Sequence, residues 1–158
     1  NFNPVLSAFE RQNHAAPLAP KLKDLTDLVP YIEALKWCDA LVLVYPTWWS
    51  GQPAILKGWF DRVLVNEVAW TMPEGGNRIK PHLAHIKRFV VITGHGSSKL
   101  INALEGESGK RTAFRSVRLM FSWRARSSWI AFYGLDNEGD VKREQMVKRL
   151  RRRVCRAL

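Results

Sequence analysis

Short apolar runs alternate along this chain with stretches in which apolar residues recur at helical spacing. Three runs are almost wholly apolar and rich in β-branched or aromatic residues, at positions 40–45, 88–93 and 129–135. Runs of this kind are typical of strands that are buried on both faces of a parallel sheet. The helical spacing predicts four helices, over residues 25–37, 53–65, 109–126 and 140–156.

Each predicted helix has an apolar face that supplies candidate core residues. These are Leu28, Ile32 and Leu35 in the first helix, Ile55, Leu56, Trp59, Phe60 and Val63 in the second, Phe114, Val117, Phe121 and Ala125 in the third, and Val147, Leu150, Val154 and Leu158 in the fourth. Because strands and helices alternate, we expect a parallel sheet with right-handed crossovers in a three-layer α/β sandwich. The length suits one domain that spans residues 1–158.

Two segments lack a clear period. Residues 1–24 contain three prolines, and we expect an irregular lead-in with a short turn at residues 7–11. Residues 66–86 contain two prolines and a Gly-Gly-Asn sequence, which predicts a long excursion between elements. Excursions of this length inside a domain often carry functional contacts.

Two loops follow the first two predicted strands, at the end of the sheet where parallel α/β proteins bind ligands. Residues 46–52 contain the adjacent aromatic pair Trp48 and Trp49. These rings suit stacking on a flat ligand or packing against a second subunit, and the alternative is that they cover the core. Residues 94–98 contain glycines and hydroxyl groups, which let backbone N–H groups come close to a ligand.

Composition and charge reduce the number of protein classes to which this chain could belong. Seven Trp and seven Phe argue against disorder, no apolar run reaches the roughly 18 residues of a membrane helix, and no signal peptide is visible, so we expect a cytoplasmic protein. The net charge is +11, and residues 147–158 hold six Lys or Arg. A basic helix can bind nucleic acid, anionic lipid or a phosphorylated cofactor, but a solvated face is the favoured interpretation.

Side chains that could carry chemistry on their own are few. Cys38 and Cys155 are far apart, and we expect two reduced, inert thiols. His82 and His85 have a spacing that can hold a metal, but no carboxylate or cysteine cluster accompanies them, so no metal site is expected. The sequence contains no nucleophile elbow, no phosphate-binding P-loop and no paired carboxylates. The chemistry is therefore expected to come from a bound cofactor, and no catalytic residue is identified.

Residues 39–63, DALVLVYPTWWSGQPAILKGWFDRV, resemble the NAD(P)H:quinone oxidoreductases of the flavodoxin-like fold. These include the bacterial modulator-of-drug-activity type and the ancillary subunits of potassium-efflux systems. The stretch at residues 53–63 is close to a family signature and is highly specific. Residues 2–7 and 92–94 are also similar, and the resemblance weakens after about residue 98.

The resemblance implies a protein that binds FAD or FMN, accepts hydride from NAD(P)H and passes two electrons to a quinone. It also implies a homodimer in which a second subunit completes the site. The residues that it places along one side of the flavin ring are Pro46, Thr47, Trp48 and Trp49. The residues that it places at the pyrimidine side are Thr93, Gly94, His95 and Gly96.

The chain also departs from the family's pattern. Nothing matches the family's first strand and the loop that grips the flavin phosphate, so the first one or two strands are expected to be missing. Residues 40–45 would then form an exposed apolar edge. The animal quinone reductases of the family have a Tyr and a His after the glycine loop that assist hydride transfer. Residues 97–109 contain no convincing match to them, and the positive charge is unusually high.

These departures leave two alternatives to the flavoenzyme. One is a non-enzymatic regulatory subunit of a transporter whose basic helices face anionic lipid or an acidic partner. The other is a truncated relative that no longer binds flavin tightly. The sequence does not distinguish FAD from FMN or NADH from NADPH, and it does not identify the physiological electron acceptor.

Overall fold

The computed structural model of this chain describes residues 27–137 and 139–157. Its main sheet has three parallel strands in the order β1, β4 and β5, namely Ala40–Pro46, Arg88–Gly94 and Arg126–Phe132. Ala40 lies opposite Arg88, and Arg88 lies opposite Arg126, so the three strands begin at one level. The three predicted strands are confirmed, although the last begins three residues earlier than position 129. Residues 1–24, with their predicted turn, lie outside the part that is described.

In the described residues five α-helices accompany the sheet: α1 Val29–Trp37, α2 Ala54–Val63, α3 Lys99–Leu104, α4 Ser108–Arg111 and α5 Asp140–Ala157. The first two pack on one sheet face, where Leu35 and Val63 join Leu43, Phe89 and Val91 in one hydrophobic core. Val90 and Ile130 are also buried, and strand alternation turns them toward the opposite face. Helix α5 packs on β4 and β5. The chain thus forms the predicted layers of helix, sheet and helix.

Strand β1 has an apolar edge. In the described part of the chain it pairs with β4 alone. Val44 is 72% exposed and Val42 is exposed as well. The exposed apolar edge that the sequence predicts at residues 40–45 is therefore present.

The predicted helix over residues 109–126 is wrong in its second half. After α4 the chain continues as a π-helical turn, Thr112–Ser116, and a 3-10 turn, Val117–Met120, and then leaves helical geometry. The guanidinium of Arg118 donates to the carbonyl oxygens of Trp123 at 3.0 Å and Ala125 at 2.8 Å, so a side chain satisfies groups that helical N–H donors would otherwise bond. Phe121 lies in the loop after these turns and is nevertheless buried in the core. This burial explains why apolar residues recur there at a spacing that resembles a helix.

Other elements also differ from the prediction. Ile55 is 85% exposed, so it does not share the buried face of α2 that Phe60 and Val63 form. The short helix α3 was not predicted. The excursion at residues 66–86 contains an antiparallel pair of two-residue strands, β2 (Trp70–Thr71) and β3 (Lys80–Pro81). Among the helices in the described residues, none is long and apolar enough to cross a membrane.

The hydroxyl of Tyr45 is a polar group inside the core. Tyr45 is 6% exposed, and its Oη has no hydrogen-bond partner among the described residues. Burial raises the pKa of Tyr45 to about 12, although the neighbouring Gln52 side chain offsets part of this effect. The hydroxyl therefore stays protonated at neutral pH, and the desolvation cost of its burial is at most partly offset.

We therefore expect Tyr45→Phe to leave stability unchanged or to raise it by about 1 kcal/mol, because it removes an unpaired buried hydroxyl. Urea denaturation monitored by fluorescence measures this difference. Tyr31→Phe is the matched control, since Tyr31 is 52% exposed and should show no change. A loss of more than about 1 kcal/mol in Tyr45→Phe would show that the hydroxyl makes a stabilising hydrogen bond.

Candidate functional site

The loop after β1 forms a tight, strained turn at residues 48–51, here called the Trp turn. Trp48 N donates to Gly51 O at 3.1 Å, and Gly51 N donates to Trp48 O at 2.8 Å. The two central residues have positive φ angles, 47° at Trp49 and 57° at Ser50. The hydrogen bonds and both positive φ angles match a type I′ turn, in which glycine or asparagine normally occupies such positions. Non-glycine residues in this region are strained, and strain of this kind concentrates at functional sites.

The Trp turn is held in place by the start of α4. The Ser108 hydroxyl and the Gly109 backbone N–H both donate to Ser50 O, at 2.7 and 2.8 Å. The Gln52 side chain returns a bond to Gly109 O at 2.8 Å. A Cβ atom at Gly109 would lie 3.2 Å from Ser50 O, so the absence of a side chain permits this close approach.

The Trp turn presents an indole to solvent. Trp49 is 98% exposed and Trp48 is 61% exposed, so neither ring covers the core. Trp49 borders two cavities. One, of about 590 Å³, also involves Trp48, Gln52 and Lys57, and the other, of about 210 Å³, lies toward the loop after β4.

The loop after β4 is tied to both neighbouring strands. Thr47 N donates to Gly94 O at 2.8 Å, and His95 N donates to Phe132 O at 2.8 Å. Its glycines leave space that two side chains of a neighbouring loop occupy. A Cβ atom at Gly94 would lie 2.6 Å from Leu135 Cδ1, and one at Gly96 would overlap the Asp136 carboxylate.

A chain of polar side chains connects the two loops around His95, which is 3% exposed. His95 Nε2 lies 3.3 Å from Thr47 Oγ1, which lies 2.7 Å from Thr93 Oγ1. On the other side, Asn102 Nδ2 lies 2.6 Å from His95 Nδ1 and also donates to Ser97 Oγ at 3.2 Å. The Tyr133 ring stacks on the imidazole with centroids 4.6 Å apart.

These contacts fix the protonation of His95. Because the Asn102 amide donates to Nδ1, the ring hydrogen resides on Nε2 and points at Thr47 Oγ1. Burial lowers the pKa of His95, and the charges of Glu105 and Glu107 oppose that shift in part. The ring is therefore a neutral donor toward Thr47 at physiological pH.

The smaller cavity has donors at its surface and one acidic group. Thr47, Trp49, His95, Gly96 and Asn102 are among the residues that line it. Within the described residues, the backbone N–H groups of Trp49 and Gly96 have no acceptor, whereas those of Thr47, Trp48 and His95 are already used. The carboxylate of Glu105 also borders the cavity and is hydrogen-bonded by Ser50 Oγ.

The state of His95 makes stability depend on pH. The folded pKa lies below the unfolded value near 6.5. His95 therefore contributes fully above that value, and its contribution is lost as the pH falls from there toward the folded pKa. We expect the unfolding free energy to drop between pH 7.5 and 5.0 by less in His95→Gln than in the parent, by at most about 1.4 kcal/mol per pH unit. Urea titrations at both pH values measure this, and equal drops would contradict it.

The structure brings together part of the predicted site. Thr47, Trp49, His95 and Gly96 border one cavity, and Thr93 lies behind them through its bond to Thr47. Trp48 faces the other cavity instead. Pro46 and Gly94 lie at the strand ends and do not border the smaller cavity.

Four further residues complete the cavity. Ser50 and Ser97 belong to the two predicted loops but were not named as site residues, whereas Asn102 and Glu105 were missed altogether. Asn102 was missed because α3 was not predicted. Its signal was Ser98, whose hydroxyl accepts from Ile101 N and caps that helix. His82 and His85, whose spacing could have suited a metal, lie outside this cavity. His82 Nε2 is bonded to Thr71 Oγ1, and His85 Nε2 is bonded to Leu35 O.

Comparison with known proteins places this geometry among related chains. A family model described as a flavodoxin-like fold matches residues 1–154. An uncharacterized NAD(P)H oxidoreductase of Haemophilus influenzae is 41% identical over 75 residues, which are 48% of this chain and 35% of that protein. NAD(P)H dehydrogenase [quinone] 1 of Rattus norvegicus is 35% identical over 121 residues, which are 69% of this chain and 43% of that protein.

A solved structure gives the same picture. The NAD(P)H:quinone oxidoreductase from Methanothermobacter marburgensis superimposes with a TM-score of 0.62 at 28% identity. The match covers 87% of this chain and 65% of that one. This chain therefore spans less than half the length of the two curated relatives above.

Proposed function

Since this chain belongs to the family of the flavodoxin-like fold, we propose that it is a flavin-dependent NAD(P)H oxidoreductase that reduces a quinone-type acceptor. The observation that carries the proposal is the cavity beside Trp49, which residues of two strand-end loops line, among them Trp49 and Gly96, whose backbone N–H groups have no acceptor within the described residues. Similar proteins that are named as NAD(P)H and quinone enzymes support the substrate class. A bound flavin supplies the chemistry, as it accepts a hydride and then gives up two electrons.

The residues around the cavity fit the polar edge of a flavin ring. Such an edge has carbonyl oxygens, and the unpaired N–H groups of Trp49 and Gly96 are donors of the right kind. The exposed indole of Trp49 offers a flat apolar surface on which an aromatic ring can stack. We propose that Thr47, Trp49 and Gly96 contact the flavin and that His95 holds Thr47 in position behind them, with Trp48 and Pro46 shaping the loop around them.

The buried chain behind the cavity has a positioning role in this proposal. His95 donates from Nε2 to Thr47, which leaves the Thr47 hydroxyl hydrogen available to Thr93 or to a ligand in the cavity. Asn102 holds the ring in that tautomer. Because His95 is neutral and nearly buried, it provides a hydrogen-bond donor without placing a positive charge near Glu105.

We also propose a homodimer. Two large apolar side chains in the segment that follows β1 are largely exposed, Trp49 at 98% and Ile55 at 85%. A second subunit that packed there would cover them and help to enclose the flavin. Sedimentation velocity checks this proposal, and a monomer that retains quinone reductase activity would contradict it.

The absorption spectrum of the purified chain tests the function. We expect flavin bands after the addition of FAD or FMN and removal of the excess, and bleaching of those bands by NADH or NADPH under anaerobic conditions. Trp123→Ala is the control, since Trp123 is also exposed but lies at the other end of the sheet, and it should behave as the parent. A colourless protein that takes up neither flavin would contradict the proposal and favour a regulatory module.

A further inference from the structure

The first residues of the three strands of the main sheet form a row at one end of the sheet. This row, here called an edge, lies opposite the Trp turn. Lys87 N donates to Asp39 O at 2.8 Å, and Arg126 N donates to Lys87 O at 2.9 Å. The segments that lead into β1, β4 and β5 are therefore side by side. Strands of seven residues place this edge about 20 Å from the flavin cavity.

Positive charge accumulates at this edge. Lys87, Arg88, Arg124 and Arg126 are all exposed. Arg88 and Arg126 occupy directly opposite positions on neighbouring strands, an arrangement in which like charges repel. Within the described part of the chain, none of the four forms an ion pair. The exposed Asp39 contributes one opposing charge, so the edge remains strongly positive.

Two tryptophans lie at the ends of the same edge. Trp37 ends α1 and is 88% exposed, and Trp123 precedes β5 and is 85% exposed. The loop that carries Trp123 is braced, because Arg118 donates to Trp123 O and Ala125 O. The Arg124 guanidinium also lies 5.3 Å from the centre of the Trp123 ring. The indole is thus presented by an ordered loop.

Helix α5 extends the positive charge beside β5. Arg153 and Arg156, from its last turns, line a cavity of about 230 Å³ together with Ser128. Arg153 donates to Trp129 O at 3.2 Å, which fixes that side chain against the strand. Anionic groups that approach the strand entrances therefore meet guanidinium groups from two elements.

We propose that this surface, the basic edge formed by Trp37, Lys87, Arg88, Trp123, Arg124 and Arg126, binds the headgroup layer of an anionic lipid bilayer. Indole rings suit the boundary between headgroups and acyl chains, and clustered Lys and Arg are attracted to anionic lipid. Buried apolar area and electrostatic attraction to anionic lipid both add to the binding of a protein at a membrane surface. Bases of a single-stranded nucleic acid stack in a basic groove that follows the backbone, whereas these two rings project from the ends of an edge.

The proposal is independent of the flavin site. Because the basic edge and the cavity lie at opposite ends of the strands, a protein that is bound to lipid keeps the cavity open to solution. Flavin uptake and quinone reduction should therefore be the same with and without vesicles, and the failure of one proposal leaves the other standing.

Co-sedimentation of the full chain with phosphatidylcholine vesicles, with and without phosphatidylglycerol, tests the basic edge. We expect binding only when the anionic lipid is present, and quenching of tryptophan fluorescence by brominated lipid. Trp37→Ser with Trp123→Ser, and separately Arg88→Glu with Arg126→Glu, should each weaken the partition about tenfold or more. Arg88→Lys with Arg126→Lys should retain binding, since the charge is kept.

Lys148→Glu with Arg149→Glu is the matched control, because it reverses the same charge on the exposed side of α5. It should change the partition by less than about twofold. An equal loss in this control would overturn the proposal in favour of net charge alone. Failure to bind the anionic vesicles, or binding to a single-stranded oligonucleotide in their place, would also overturn it.

Discussion

Replacing Trp49 with glycine is expected to stabilise the protein while it weakens flavin binding. Trp49 has a φ of 47°, in a region that costs a side chain with a Cβ atom about 1 kcal/mol or more and that glycine adopts freely. The indole is 98% exposed, so its removal sacrifices almost no buried surface. We therefore expect Trp49→Gly to raise the unfolding free energy by about 1 kcal/mol.

The same side chain is expected to contribute most to flavin affinity. Loss of a stacking surface of this size weakens a flat aromatic ligand by about 1–3 kcal/mol, or about 5- to 150-fold in Kd. Equilibrium flavin titration and urea denaturation of the same preparations measure both effects.

Trp49→Ala separates the two causes. It removes the ring but keeps the Cβ atom, so it should lose flavin affinity as Trp49→Gly does without the gain in stability. If alanine and glycine were equally stable, the positive φ would carry no strain. If both variants bound flavin as the parent does, Trp49 would not belong to the flavin site.

The architecture was predictable where a run of residues has one dominant environment. The three strands are buried on at least one face, so their apolar runs identified them despite an error of three residues at the start of β5. Residues 109–126 were misassigned because Phe121 and Ala125 reach the core from a loop, and their spacing imitates a helix. The bonds from Arg118 that shape this loop run from a side chain to carbonyl groups five and seven residues away, and such bonds leave no periodic signal.

The site was predictable to a similar extent. Position at the carboxyl ends of parallel strands was sufficient to select Thr47, Trp49, His95 and Gly96. The reason for the two glycines was not predictable from the sequence. Leu135 and Asp136 from a third loop occupy the space that a Cβ atom at Gly94 or Gly96 would enter. Asn102 was missed for a related reason, because its role depends on a contact to His95 through a helix of six residues. Contacts of this kind between separate segments of the chain follow from packing and have no local pattern.

Asn102→Asp is expected to reverse the tautomer of His95 and to reduce flavin affinity about tenfold, the upper range for loss of one neutral hydrogen bond. A carboxylate accepts hydrogen bonds and does not donate them, so the ring must place a hydrogen on Nδ1 in order to bond it. The neutral ring would then have its lone pair on Nε2, and the Thr47 hydroxyl would turn toward His95 and away from the cavity. The new charge should also raise the pKa of His95.

Long-range ¹H–¹⁵N spectra of the imidazole report the tautomer directly, and flavin titration reports the affinity. Ser97→Ala is the matched control, because it removes the other acceptor of the Asn102 amide, at 3.2 Å, and leaves the donor to His95 in place. We expect the control to keep the Nε2–H tautomer and to bind flavin within about twofold of the parent, since it loses one exchangeable neutral hydrogen bond. An Nδ1–H ring in the parent protein would contradict the assignment, and unchanged affinity in Asn102→Asp would separate the His95 chain from the flavin.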